Sequence, residues 1–167
     1  MRTWAVIAAL WCGAAFGQPG FPRIQGETLA GKKVELPGAF GGQVVVVMGF
    51  THGSQAQTKV WGQRLRGQGA WSVAVLQDVP RLVRGMVVHG IKSGTPKEEY
   101  DRFLLVYSGE KELKDAAGVE TPDDAYVMVV DGTGAIRWRF HGPATDAAVR
   151  EVQGVLNGQP LHHNNGD

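Results

Sequence analysis

Apolar residues along this chain alternate between short continuous runs and stretches where they return every third or fourth position, which predicts strands and helices in alternation. Residues 44–50, four valines followed by Met48, Gly49 and Phe50, lie between Gly41-Gly42 and Thr51-His52-Gly53 and read as a central strand buried on both faces. Residues 71–76, 102–107 and 126–130 form three further strands. Ala56, Val60, Trp61 and Leu65 share one face of a helix that Ser54 caps and Gly67 and Gly69 end, with Gln57, Lys59, Gln63 and Arg64 opposite. Leu82, Val83, Met86, Val87 and Ile91 recur at helical spacing before Lys92-Ser93-Gly94, and residues 110–117 make a short polar helix stopped by Gly118. At the front, residues 34–36 pair with the preceding segment across Gly31-Lys32-Lys33. At the back, Asp131-Gly132-Thr133-Gly134 is a hairpin turn. Beyond it Ile136, Trp138 and Phe140 alternate with Arg137, Arg139 and His141, which predicts a strand with one covered face. Thr145 and Asp146 begin a last helix carrying Ala148, Val149, Val152 and Leu156 and ended by Gly158. The order is hairpin, β, α, β, α, β, α, β-hairpin, α, an α/β architecture with a mixed central sheet flanked by helices on both faces.

The first residues follow a different rule. Arg2 precedes an almost wholly apolar stretch from Trp4 to Phe16, and Ala15-Phe16-Gly17 ends it with small residues at the two inspected positions, so residues 1–17 read as an export signal. An uncleaved membrane anchor is the alternative, although the run is shorter than the about 20 residues a span needs. Lipidation at Cys12 is disfavoured by Trp11 before it. Residues 18–158 then form the folded domain and residues 159–167 a disordered polar tail. The expected location is periplasmic or secreted, with no stable membrane span after cleavage.

Charge narrows the partners. The formal net charge is +1, and loss of Arg2 leaves 16 basic against 16 acidic side chains. With no dense Lys/Arg block, neither nucleic acid nor a basic membrane-surface helix is expected.

Local motifs add a resemblance. Gly31-Lys32-Lys33-Val34-Glu35-Leu36-Pro37, then Gly42-Gln43 and the valine run, resemble the start of the exported thioredoxin and peroxiredoxin-like superfamily. Phe21-Pro22, the spacing Ser54-Gln55-x-Gln57-x-x-x-Trp61 and the stretch from Tyr126 through Ile136-Arg137-Trp138 to Gly142-Pro143-Ala144-Thr145 are closest to the mitochondrial ATP synthase assembly-factor branch, although the N-terminus is not a mitochondrial presequence. The resemblance implies a thioredoxin-like fold with an N-terminal β-hairpin extension, and it implies reactive cysteines just after the valine strand. This chain has one cysteine, Cys12, and reads Thr51-His52-Gly53-Ser54-Gln55-Ala56-Gln57 there instead. The cis-proline typical of thioredoxins has no clear counterpart either, since spacing from Asp131 puts Ala125 near its position.

Without a thiolate the domain cannot run thiol redox chemistry. The expectation is a redox-inactive protein, not an enzyme and without cofactor or bound metal, that binds a protein or peptide partner as an assembly factor or chaperone, with a membrane-complex subunit as a candidate client. The candidate binding loop is Thr51, His52, Gly53, Ser54, Gln55 and Gln57, whose helix-start N–H groups suit an anion or a partner carboxylate. Arg137, Arg139 and His141 make a candidate basic stripe, otherwise a solvated edge face, and Asp123 and Asp124 are candidate ion partners for the arginines. The alternative is a divergent peroxiredoxin-like or hydrolytic enzyme using Ser54 with His52 as base, or a metal. The five histidines, at 52, 89, 141, 162 and 163, lack ligand spacing, although His162-His163 could take copper or zinc weakly.

Overall fold

The computed structural model describes residues 20–158. The expected export signal with Cys12, and the expected tail with His162 and His163, lie outside the described residues. Seven strands, β1 (Ile24–Thr28), β2 (Lys33–Leu36), β3 (Val44–Gly49), β4 (Trp71–Val75), β5 (Phe103–Val106), β6 (Tyr126–Val130) and β7 (Ile136–His141), form one sheet in the order β2-β1-β5-β4-β3-β6-β7. Four helices complete it, α1 (Gln55–Arg64), α2 (Arg81–Gly94), α3 (Glu110–Ala117) and α4 (Asp146–Leu156).

The valine strand is central as expected. β3 runs parallel to β4 and antiparallel to β6, and its residues alternate between two cores. Val44, Val46 and Met48 join Trp71, Val73, Leu104, Leu113, Tyr126 and Met128 on one face. Val45 and Val47 join Trp61, Leu65, Val127, Trp138, Val149 and Val152 on the other. Helices α1 and α4 cover the second face, while α3 covers the first together with Phe21 and Phe40, which flank the N-terminal hairpin. Burial on both faces is why these strands read as unbroken apolar runs.

The N-terminal hairpin is part of the sheet, since β1 also pairs antiparallel with β5. Gly26 makes that pairing possible, because a Cβ there would fall 2.6 Å from the Leu105 carbonyl oxygen. The strand expected over residues 102–107 is shorter, and Arg102 belongs to a 3₁₀ segment, Lys97–Arg102. The helix over 110–117 is polar on one side only, and Leu113, Ala116 and Ala117 are buried.

Alternation through β7 is broken. The register shifts between Val129 and Val130, so Ile136 packs in the first core while Trp138 and Phe140 pack in the second. The single covered face expected for Ile136, Trp138 and Phe140 is therefore corrected by a β-bulge, which adds one residue and flips everything beyond it.

Candidate functional site

β3 delivers the chain to Thr51 at the carboxyl end of the parallel strands, where β6 also begins. Gly49 lets the turn fold back, since a Cβ on it would meet Ser54 Oγ at 2.5 Å. Ser54 is buried at 1% exposure, with helical backbone angles, and its hydroxyl donates to the Thr51 carbonyl at 2.8 Å. It makes no capping hydrogen bond, which corrects the helix-cap role expected for it. The hydroxyl is turned back into the loop instead of along the helix.

The loop faces β6 through side chains. Thr51 Oγ1 donates to Asp123 Oδ1 at 2.5 Å, and Asp123 packs so closely on Gly53 that a Cβ there would lie 2.5 Å from the same oxygen. Gln57 reaches across from α1 with both ends of its amide. Its Nε2 donates to Asp124 Oδ1 at 3.1 Å, and its Oε1 accepts the Ala125 backbone N–H at 2.9 Å. Ala125, the residue near the expected cis-proline position, thus has its N–H satisfied internally, and its carbonyl accepts from the Gly142 N–H at 2.9 Å. Among the described residues the cis peptide bond is Leu36-Pro37, away from this loop.

Asp124 also binds His141 at the end of β7, with Oδ2 2.9 Å from Nδ1. The His141 ring stacks on Tyr126 at a centroid distance of 5.5 Å and an interplanar angle of 19°. Tyr126 is anchored in turn by the N–H groups of Glu120 and Thr121, each donating to its hydroxyl at 3.0 Å. The His141 imidazole, and next the Gln57 amide, hold the Asp124 carboxyl below the usual carboxylate range. Asp123, Asp124, Gln57, Tyr126 and His141 therefore form one cluster around the loop. Tyr126 had been read as the start of a strand and part of the family motif, and the Gln57 bridge depends on a contact across 68 residues.

The ion pairing expected between the acids and the arginines is corrected for Arg137. Its Nε donates to Asp131 Oδ2 at 2.6 Å, inside its own hairpin. Arg139 lies opposite Met128 in the register, and Arg137, Arg139 and His141 are all exposed on β7. His52 is exposed and His89 is exposed on α2. Among the described residues no group of three or more His, Cys, Asp and Glu is arranged to hold a metal.

Chemically the loop is a closed hydrogen-bonded turn. At the start of α1 the Gln55 N–H is bonded to the His52 carbonyl at 3.2 Å, and the Asp123 carboxylate rests against Gly53. An added anion would have to compete with this built-in one. Of the acceptors here the Asp123 carboxylate is exposed and that of Asp124 half-buried, and His52 is exposed on the loop.

No protein-family model and no curated protein sequence matches this chain. Solved structures do. An uncharacterized conserved protein from Geobacillus kaustophilus is similar at 15% identity over 87% of this chain and 84% of that one, with a TM-score of 0.59. The thioredoxin domain of a thiol-disulfide oxidoreductase from Bacteroides vulgatus is similar at 17% identity over 84% and 98% of the two chains, TM-score 0.55. A member of the Sco family of cytochrome c oxidase assembly proteins, described with a disulfide switch, is similar at 11% identity over 84% and 95%, TM-score 0.54. The fold is thus thioredoxin-like α/β, as the order of elements and the opening motifs led one to expect.

Proposed function

We propose that this thioredoxin-like chain is a redox-inert binding protein, exported, that serves as an assembly factor or chaperone for a protein partner. The observation that carries the proposal is the β3–α1 junction. Where thiol-disulfide oxidoreductases of this fold carry cysteine, Thr51 and Ser54 stand, both hydroxyls engaged within the protein, and the one cysteine of the chain is Cys12. A protonated, hydrogen-bonded hydroxyl exchanges no electrons with a disulfide.

The enzymatic alternative built on Ser54 and His52 finds little support. Ser54 is buried and donates to a backbone carbonyl, so its proton is not aimed at a base, while His52 is exposed on the loop. A partner is better served by the surface around residues 51–57, where Asp123 and Asp124 accept hydrogen bonds and would favour N–H donors or cations over carboxylates. The resemblance to ATP synthase assembly factors motivates a membrane-complex subunit as the client.

Two measurements test the reading. Added to insulin and dithiothreitol, the purified protein is expected to leave the reduction rate unchanged and to consume no peroxide; acceleration of either reaction overturns redox inertness. A photo-crosslinking side chain in place of His52 is expected to give one enriched adduct in native membranes, weakened by Asp123→Ala. Adducts no stronger than those from a control position on α4 would overturn partner binding at this loop.

A further inference from the structure

Helix α2 is the one α-helix among the described residues with none of its residues, 14 in all, buried. Val87, Val88 and Ile91 pack against Leu29, Leu76 and Leu105, and Arg84 turns the same way, its guanidinium over the Tyr107 ring and its Nε donating to the Val79 carbonyl at 2.9 Å. The opposite face carries large apolar side chains of its own, beside Gly85, His89 and Ser93. Leu82 is 99% exposed and Met86, one turn on, is 76% exposed, with Val83 at 40% beside them. Gly85 and Gly90 have open space where a Cβ would stand, so Leu82 and Met86 project from a convex ridge and line no groove.

Charge selects the occupant. The helix contains Arg81, Arg84 and Lys92 and no acidic residue, and the exposed pair Arg81 and Lys92 fall on one flank of the apolar face, about three turns apart. Asp78 and Glu98 lie beyond the helix ends. A second copy of this chain would set Arg81 and Lys92 against their own kind, and a peptide gains little on a convex surface. Two projecting apolar side chains flanked by cations fit a plane with acyl chains below and phosphates at its surface.

We propose that α2 docks the protein on an anionic lipid bilayer, with Leu82 and Met86 entering the headgroup boundary and Arg81 and Lys92 facing lipid phosphates. This goes beyond the partner-binding reading, which concerns the 51–57 loop and stands or falls separately. Balanced net charge concealed the site, because the cations of α2 are offset by acids elsewhere on the molecule.

The test is co-sedimentation of the full chain with sucrose-loaded vesicles of phosphatidylcholine alone or with about 30% phosphatidylglycerol. Binding is expected to require phosphatidylglycerol. It should weaken about fivefold for each of Arg81→Gln and Lys92→Gln and at least about tenfold for Leu82→Ser combined with Met86→Ser. Val60→Ser, which removes an exposed apolar side chain from α1, should leave binding unchanged. All these positions are exposed, so circular dichroism should show native folding throughout. Equal binding by the Leu82/Met86 variant, as when the apolar N-terminal segment alone carries it, overturns the proposal. So does equal partition onto both vesicles, or a dimer that dissociates in the Leu82/Met86 variant while no vesicle binds.

Discussion

Gln57 settles two strands of argument with one amide, serving Asp124 and the buried Ala125 N–H together. Gln57→Ala leaves that N–H without a partner in a residue of 0% exposure, so a loss of about 1–3 kcal/mol is expected, read as a lower urea midpoint at unchanged slope. Three aspartates set the acid limb of stability. Asp131 is held well below the usual range, first by the Thr133 hydroxyl and further by the Thr133 and Ala135 N–H groups and Arg137. Asp124 is lowered chiefly by His141, and Asp146 by Arg64. Each folded-state carboxyl is more acidic than its unfolded counterpart near 3.9, so its stabilising effect is complete above that value and disappears as pH falls through the folded-state value. Stability from denaturant titration should therefore be flat between about pH 5 and 7 and decline below about pH 4, with Asp131→Asn making the decline shallower.

Helix α1 is tied to the far side of the fold by Trp61, fully buried, whose Nε1 donates to the Gly142 carbonyl at 2.9 Å while its ring meets Phe140 edge-on. Trp61→Phe keeps most of the packing and strands that carbonyl, so about 1–3 kcal/mol should be lost in chemical denaturation. The β1–β2 hairpin depends on close approach at Gly26. Gly26→Ala drives a methyl into the Leu105 carbonyl and Leu104 side chain, and faster amide exchange confined to β1 and β2 is the expected result. Both effects follow from contacts distant in sequence. The local signals nonetheless worked where the cause is local: Thr145 caps α4 by accepting the Ala148 N–H at 3.2 Å, and Gly118 takes the left-handed conformation that ends α3. Ser54 looked like the same kind of cap and is not: its hydroxyl is turned to donate to the Thr51 carbonyl and its oxygen accepts no helix N–H.

Seen whole, the molecule is a thioredoxin-like sheet whose β3–α1 corner is closed by its own side chains and whose helix α2 is left largely uncovered. With a single cysteine the chain has no intramolecular disulfide, so its thermal midpoint should be the same with and without dithiothreitol. Strand and helix order was legible in residues 20–158 because burial on two faces writes unbroken apolar runs, and a helix writes its own period into neighbouring residues. The absence of cysteine after β3 was equally plain, since it needs only residue identity. The bulge that separates Ile136 from Trp138, the closure of the loop by Asp123 and Gln57, and the outward turn of Leu82 and Met86 could not be read that way. Each depends on which distant residue arrives opposite, and a pattern along one segment records that a side chain is apolar or polar without recording what meets it.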